Sequence, residues 1–423
     1  MQEGVGNYRW RIVALLFFAT TINYIDRQVI GLLKPYIEKD MGWNEISYGH
    51  IVTAFQVAYA IGLLLSGKFI DKLGTRKGFS IAITIWSLGG ILHAAAQSVF
   101  GFGAARFILG IGESANFPAS VKTVAEWFPR KERALATGIF NSGSTIGAIV
   151  APIIVTYITL NFGWRLAFII TGLLGFVWLL FWILLYKTPL NHPKVSKKEL
   201  YYILFDNEEI SHKSLKLSEL FRIRQTYAIC FSRFVSDWVW WFFLFWAPDF
   251  LKKTQGVNIK EVVLPLIVIY SFASVGGIAG GWISGYFIKN GKSIDKARKT
   301  SILLCAIVVL PVAFAPLISN LWTAVLLISL ATAAHQGWAS NIFTITSDIF
   351  PKNAVGSVTG IAGFFGAVGG AISATVIGCI LEITGSYFLI FAMASSAYII
   401  AWLIIKLMIP EIKPLKFESP SLL

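Results

Sequence analysis

Glu126-Trp127-Phe128-Pro129, followed by Thr137-Gly138-Ile139 and Gly147, returns as Asp348-Ile349-Phe350-Pro351, Thr359-Gly360-Ile361 and Gly369, with a constant spacing of 222 residues. Arg76-Lys77 and Arg298-Lys299 keep the same spacing. A repeat of this kind is the sequence mark of a duplicated architecture. Outward from the two copies, apolar windows of about 20 residues, the length that crosses a bilayer core, fall near 11–34, 47–69, 78–98, 101–123, 134–159, 165–187, 225–251, 261–288, 300–317, 320–347, 355–381 and 386–408. The pattern predicts an all-α integral membrane protein with twelve transmembrane helices in two pseudo-symmetric six-helix bundles, and a pathway between them. The expected boundaries are 1–187 for the first bundle, 188–224 for a cytoplasmic linker rich in Lys and Ser, and 225–423 for the second bundle with a short tail.

Composition agrees with a membrane setting. Of the 423 residues 56% are hydrophobic and only 14% charged, with mean hydropathy +0.68, against about 25% charged in ordinary soluble domains. The net charge of +14 would suit nucleic acid, but the basic residues lie in short segments between apolar spans. Most of them fall on the side of the chain termini, which places both termini and the linker in the cytoplasm. The setting expected is the inner membrane of a bacterium. Arg9 and Arg11 lead directly into the first span with no cleavable signal before them. Cys230, Cys305 and Cys379 are an odd number inside apolar spans and show no metal spacing, so they read as small buried hydrophobes. No metal or cofactor is implied.

Charges inside the spans narrow the function. Asp26, Arg27, Arg106 and Glu113 lie in otherwise apolar stretches, where each costs about 2.5–3.5 kcal/mol at mid-helix. Such residues line polar pathways by default. Asn23 shares a helix face with Asp26 and Arg27, and Arg106 and Glu113 lie two turns apart on one face. An arginine fork matches a carboxylate, which makes Arg27 or Arg106 a natural anchor for an organic anion. A glutamate kept from water at mid-span is suited to carrying a proton, as Asp26 also is. Tyr24, Gln56 and Tyr59 supply hydroxyl and amide groups for a polyhydroxylated body. Arg233 and Asp237, four apart in span seven, form either an intrahelical ion pair or part of a site. His335 falls at the repeat position of Glu113, and Gln336, Trp338 and Asn341 follow it as candidates for sugar hydroxyls.

The loop after span two reads Gly67-Lys68-Phe69-Ile70-Asp71-Lys72-Leu73-Gly74-Thr75-Arg76-Lys77. Gly67 is expected to allow close helix approach. Asp71 is expected to receive a helix N-terminus or an arginine, and Arg76 and Lys77 to hold the cytoplasmic face, so that the four act in gating. This loop resembles the signature loop of the major facilitator superfamily at every defined position. In the second copy Gly281 and Arg298-Lys299 remain while Gly285 stands where the aspartate would be. Small residues at 143 and 147 in span five, and at 356, 360, 363, 366, 369 and 370 in span eleven, predict helices meeting at backbone distance.

Within that superfamily, Tyr24, Asp26-Arg27, Arg106, the run Glu113 to Pro118 and Tyr59 look like the anion:cation symporters, above all the hexuronate permeases. The resemblance implies proton-coupled uptake of a sugar acid by alternating access, in a functional monomer. In it Arg27 grips the carboxylate, Asp26 and Glu113 take protons, Arg106 partners Asp26, and Tyr24 and Tyr59 join the sugar site. Galactonate-type members carry a glutamine and an asparagine where this chain has Ser144 and Gly363. The runs Arg233 to Phe242 and His335 to Asn341 look more like hexuronate permeases, which points to glucuronate or galacturonate. The alternatives are another organic anion, such as galactonate or glucarate, and a non-transporting membrane sensor. An enzyme is not expected, since neither His-Glu-x-x-His nor a paired-His helix occurs.

Overall fold

The computed structural model describes residues 6–204, 217–350 and 352–415. Pro351 of the repeat, the middle of the expected linker (205–216) and the last residues of the tail lie outside the described residues. All regular structure among the described residues is helical. Eleven long elements account for eleven spans: α1 (Tyr8–Met41), α2 (Glu45–Leu73), α3 (Thr75–Ala95), α6 (Arg130–Phe162), α7 (Trp164–Leu185), α10 (Arg224–Gln255), α11 (Val263–Lys289), α12 (Ile294–Val309, continued as a 3-10 turn over Leu310–Leu317), α13 (Leu321–Ile349), α14 (Lys352–Thr384) and α15 (Phe388–Met408). The fourth span is broken into α4 (Val99–Glu113) and α5 (Asn116–Trp127). Between α7 and α10 lie a 3-10 turn at Pro189–Asn191, α8 (Lys197–Leu204) and the short α9 (Leu217–Leu220).

Sequence chemistry explains the helix ends. Asn44, Ser98, Ser293 and Asn320 each accept a backbone N–H three residues on, which satisfies a donor that the first turn leaves open. Gly42 ends α1 at φ +65°, a left-handed turn that only glycine takes without cost. The break in the fourth span has its cause in Pro118, which has no N–H to give the Ser114 carbonyl and crowds it. Ser114 turns its hydroxyl back to the Ile111 carbonyl at 2.7 Å instead. Pro311 and Pro316 tighten the end of α12 in the same way.

Among the described residues nine helices are long and apolar enough to cross a membrane. The three spans outside that set are α1, the α4–α5 pair and α13. They carry Asp26 and Arg27, Arg106 and Glu113, and His335 and Gln336, respectively.

The described residues of Met1–Ser211, Leu244–Ile267 and Ala371–Gly385 form one compact unit, and those of His212–Phe243, Val268–Gly370 and Ser386–Leu423 a second. In the first, α1 lies along α6, α3 along α7, and α4 against both α2 and α3. Gly143 and Gly147 of α6 meet the Phe17 and Thr21 carbonyls of α1, so any side chain there would push the two helices apart. In the second unit α12 lies against α13 and α15, and Gly276 and Gly280 of α11 meet the α13 backbone at Ala333 and Gly337. Gly366 and Gly369 of α14 meet α10 at Asp237 and Phe234, whereas Gly356 and Gly360 face open space. A similar indole-to-backbone contact, one or two residues out of the repeat register, occurs inside each unit. Trp182 donates its indole N–H to the Arg76 carbonyl at 3.2 Å, and Trp402 donates to the Lys299 carbonyl at 3.1 Å.

Candidate functional site

The close α1–α6 approach fixes the depth and rotation of α1, and Gly110 of α4 does the same for α2 by admitting the Phe55 carbonyl. Asn23, Tyr24, Asp26 and Arg27 of α1, Gln56 and Tyr59 of α2, and Arg106 and Glu113 of α4 are thereby brought into one unit. Arg27 Nη2 lies 2.8 Å and its Nε 2.9 Å from Glu113 Oε2, with both side chains buried. Nη2 also donates to Asn23 Oδ1 at 3.2 Å. Three rings surround the guanidinium, with Tyr24 and Tyr59 centred 4.8 Å from its central carbon and Phe55 5.4 Å. An aromatic cage of this kind holds a cation by the ring quadrupoles and keeps water off it.

Asp26 and Arg106 depart from expectation. Arg106 donates from Nη2 to the Arg27 carbonyl at 3.1 Å, and its Nε and Nη1 have no hydrogen-bond partner. The Phe55 and Phe245 rings lie 5.3 and 5.6 Å from its central carbon and confine it there. Neither oxygen of the buried Asp26 is hydrogen-bonded, and Thr171 of α7 is the hydroxyl beside it. The expected Asp26–Arg106 pair is therefore not closed. Both amide atoms of the fully buried Gln56, Asn23 Nδ2 and Glu113 Oε1 are likewise without a partner. Each such group costs about 1–3 kcal/mol when left dry. Their gathering on three adjacent helices, beside the Arg27–Glu113 pair, makes this the candidate site.

The second unit has its own polar set. Arg233 directs Nε and Nη2 to one oxygen of Asp237, both at 2.8 Å, and Ser236 Oγ lies 3.3 Å from the other. This is the intrahelical pair among the two expected alternatives. His335 Nδ1 is 2.6 Å from the Tyr398 hydroxyl and its ring stacks on Trp240, centroids 5.3 Å apart at 9°. The Tyr398 hydroxyl donates onward to the Ser236 carbonyl at 3.3 Å. Gln336 is half-buried beside Gly277. Two expected sugar contacts, Asn341 and Trp338, are packed inside the unit, with Asn341 Oδ1 and Trp338 Nε1 left without a hydrogen-bond partner. Asn341 donates to the Gly280 and Gly337 carbonyls, both at 2.9 Å, and so ties α13 to α11. Trp338 is fully buried edge-on to Tyr398.

In the signature loop, the partner of Asp71 among the described residues is Lys122 of α5, at 2.7 Å. Arg76 donates to the Ile183 carbonyl at 2.7 Å, and Lys77 is exposed. Gly67 has nothing within reach of a side chain, so the close approach expected there is not made. Glu126, from the opening repeat, accepts the hydroxyls of Thr75 and Tyr186, both at 2.7 Å. Its counterpart Asp348 accepts from Arg298 at 2.8 Å. Sequence reasoning missed a further charge group, the buried Lys34, Glu45 and Asp249 with the exposed Lys253 beside them. Lys34 and Asp249 lie inside apolar spans, the signal that singled out Asp26 and Arg27.

The Major Facilitator Superfamily profile matches residues 16–374. The chain belongs to the major facilitator superfamily. Among its relatives, the hexuronate transporter of Escherichia coli (strain K12) is 30% identical over 383 residues, covering 89% of this chain and 88% of that protein. The probable galactarate/D-glucarate transporter of Bacillus subtilis (strain 168) is 29% identical over 398 residues, with 90% and 87% covered. The crystal structure of a D-xylose-proton symporter superposes with a TM-score of 0.76 at 16% identity over 96% of this chain and 99% of that one. The protein is a multi-pass membrane transporter of this superfamily and not an enzyme.

Proposed function

We propose that the protein imports a hexuronate, glucuronate or galacturonate, together with protons across a bacterial inner membrane, with both termini in the cytoplasm and one chain as the working unit. The observation that carries this reading is the Arg27–Glu113 pair inside its aromatic cage. Glu113 occupies Arg27 in the way a substrate carboxylate would. Protonation of Glu113 removes its charge and releases the guanidinium for the solute, and return of the solute to water lets Glu113 re-form the pair and shed its proton. Binding of acid and proton are thereby linked through one guanidinium. Asp26, unpaired and buried beside Arg106, is a second protonation site. Tyr24, Tyr59 and Gln56 offer groups to the sugar hydroxyls, with Gln336 and the Arg233–Asp237 pair as further candidates. Gly67, Asp71, Arg76 and Lys77 gate the cytoplasmic side as access alternates between two bundles, 1–187 and 225–423, joined by 188–224.

Purified protein in sealed vesicles, offered hexuronates, aldonates and aldarates with and without an inward proton gradient, tests the proposal. Accumulation of a hexuronate above its passive level under the gradient is expected. Passive equilibration of every acid defeats the symport reading, and failure to trap any labelled acid favours a sensor. The relative named for galactarate and glucarate supports a second reading, in which a dicarboxylate is accumulated and hexuronates are not.

A further inference from the structure

The sixth span of each repeat is followed by a segment that packs along the unit holding it, with one burial rhythm. After α7 ends at Leu185, Tyr186, Pro189 and His192 are buried, and the residues between them are exposed. After α15 ends at Met408, Ile409 and Ile412 are buried and Leu415 half-buried, again with exposed residues between. The two runs stand a constant 223 residues apart. Both reach the repeated motif, whose second residues, Trp127 and Ile349, close α5 and α13. In the first unit His192 lies edge-on to Trp127 with centroids 5.6 Å apart, and Tyr186 donates its hydroxyl to Glu126 at 2.7 Å. In the second, the Leu415 N–H goes to the Ile349 carbonyl at 2.8 Å. The Ile412 N–H goes to Asp295 Oδ1 of α12 at 2.9 Å, and Lys299, 2.7 Å from Asp295, donates to the Pro410 carbonyl at 2.8 Å.

Ordering a run that is neither α-helix nor strand costs backbone entropy that a free tail would keep. Burying every third side chain offsets that cost only where the folded unit offers a fitted seat. The second segment also supplies what a helix end lacks, since the Ile349 carbonyl closes α13 and takes the Leu415 N–H. Both seats end spans outside the apolar set, α4–α5 and α13, and such spans have less apolar surface with which to hold their position. We propose that this segment is an element of the duplicated unit, a strap that seats on the repeated motif. It fixes the end of the span carrying Arg106 and Glu113 in one unit, and of the span carrying His335 and Gln336 in the other. The motif is then a seat for the strap as well as a helix end. Residues 409–415 are working parts of the second bundle, and 186–192 of the first. The proposal does not depend on which solute is carried.

Hydrogen–deuterium exchange of the full chain in detergent, without any solute, is the test. Ile412→Asp puts a carboxylate into an apolar seat beside Asp295. It is expected to raise exchange over 342–349, the last turns of α13, by about tenfold or more, the effect of losing one buried isoleucine, while α1 exchanges as before. Ile412→Val keeps the apolar contact and is expected to exchange as the parent does. His192→Ala is expected to raise exchange over 120–127, at the end of α5, and to leave α13 alone. Leu415→Pro removes the N–H given to Ile349 and supplies the same reading if Ile412→Asp fails to fold. Parent-like exchange over 342–349 in Ile412→Asp and Leu415→Pro overturns the strap. A response there with none to His192→Ala overturns the shared element, and a rise in Ile412→Asp that extends equally to α1 overturns the local role.

Discussion

Arg27 and Asp26 are neighbours in sequence with opposite fates. Arg27 is paired, caged and accounted for, while the Asp26 carboxylate is buried with no hydrogen-bond partner. A buried charge in that position is a liability to folding, so Asp26→Asn is expected to raise the melting temperature of the detergent-solubilised protein by a few degrees, about 1–2 kcal/mol, while lowering gradient-driven uptake. A drop in melting temperature would show that the carboxylate supports the fold. Glu113→Gln keeps a carbonyl oxygen against Arg27 and removes the proton site. Substrate exchange is expected to persist in it and accumulation under a proton gradient to disappear, and equal loss of both would count against Glu113 as proton carrier. Sequence identified these side chains because charge in an apolar span is conspicuous. It could not pair them, since which arm of Arg106 meets which oxygen depends on how Phe55 and Phe245 confine it. Asn341 is a related case, because its amide nitrogen ties α13 to α11 while its oxygen has no partner, a division that the sequence does not show.

At the scale of elements, eleven of the expected spans correspond to single helical runs, and the fourth does not. Pro118 was in view in the sequence, but a proline inside an apolar window announces either a bend or a break. Here the helix breaks at Ser114–Ala115, where the Ala115 N–H turns to the Gly112 carbonyl. The connection after α7 carries a pH-dependent contact. His192 donates from Nε2 to the Leu185 carbonyl and accepts the Lys194 N–H at Nδ1, each at 3.1 Å, so both nitrogens are satisfied only in the neutral ring. Burial, with smaller contributions from Lys187 and Lys194, lowers its pKa from the ordinary value. The unfolded chain then binds more protons than the folded one as pH drops through about 6.5, and local stability falls with it. Limited proteolysis within 189–204 is therefore expected to speed up between about pH 7.5 and pH 5.5, and His192→Gln to flatten that dependence. A pH profile unchanged by the substitution would remove His192 as its cause.

The whole chain is duplicated in backbone but not in charge. Glu126 and Asp348, at equivalent repeat positions, both accept side-chain hydrogen bonds, and Trp182–Arg76 and Trp402–Lys299 are similar contacts one or two residues out of that register. The first unit keeps a carboxylate and part of a guanidinium unpaired in its interior, whereas the second neutralises Arg233 on Asp237 within one helix turn. If that pair serves mainly to neutralise itself, Arg233→Gln, which strands Asp237, is expected to reduce transport by about tenfold or more, and Arg233→Gln/Asp237→Asn to recover much of it. No recovery in the double variant would mean that Arg233 touches the solute. The repeat and the spacing of apolar windows made the architecture legible. The unequal charging of the halves was legible only as a list of polar residues, because burial and pairing are settled by side chains far apart in the chain.

The three spans outside the apolar set, α1, α4–α5 and α13, hold most of the polar residues assembled above. During synthesis α1 is made before α4 and α10, so Asp26, Arg27 and Lys34 meet the membrane before those helices exist to receive them. Glu38, one turn on in α1 and 3.9 Å away, is the first counter-charge available to Lys34, and Glu45 at the start of α2 is the next. The polarity of α1 is therefore expected to delay its stable insertion, holding it at the membrane surface or within the insertion machinery until its partners are made.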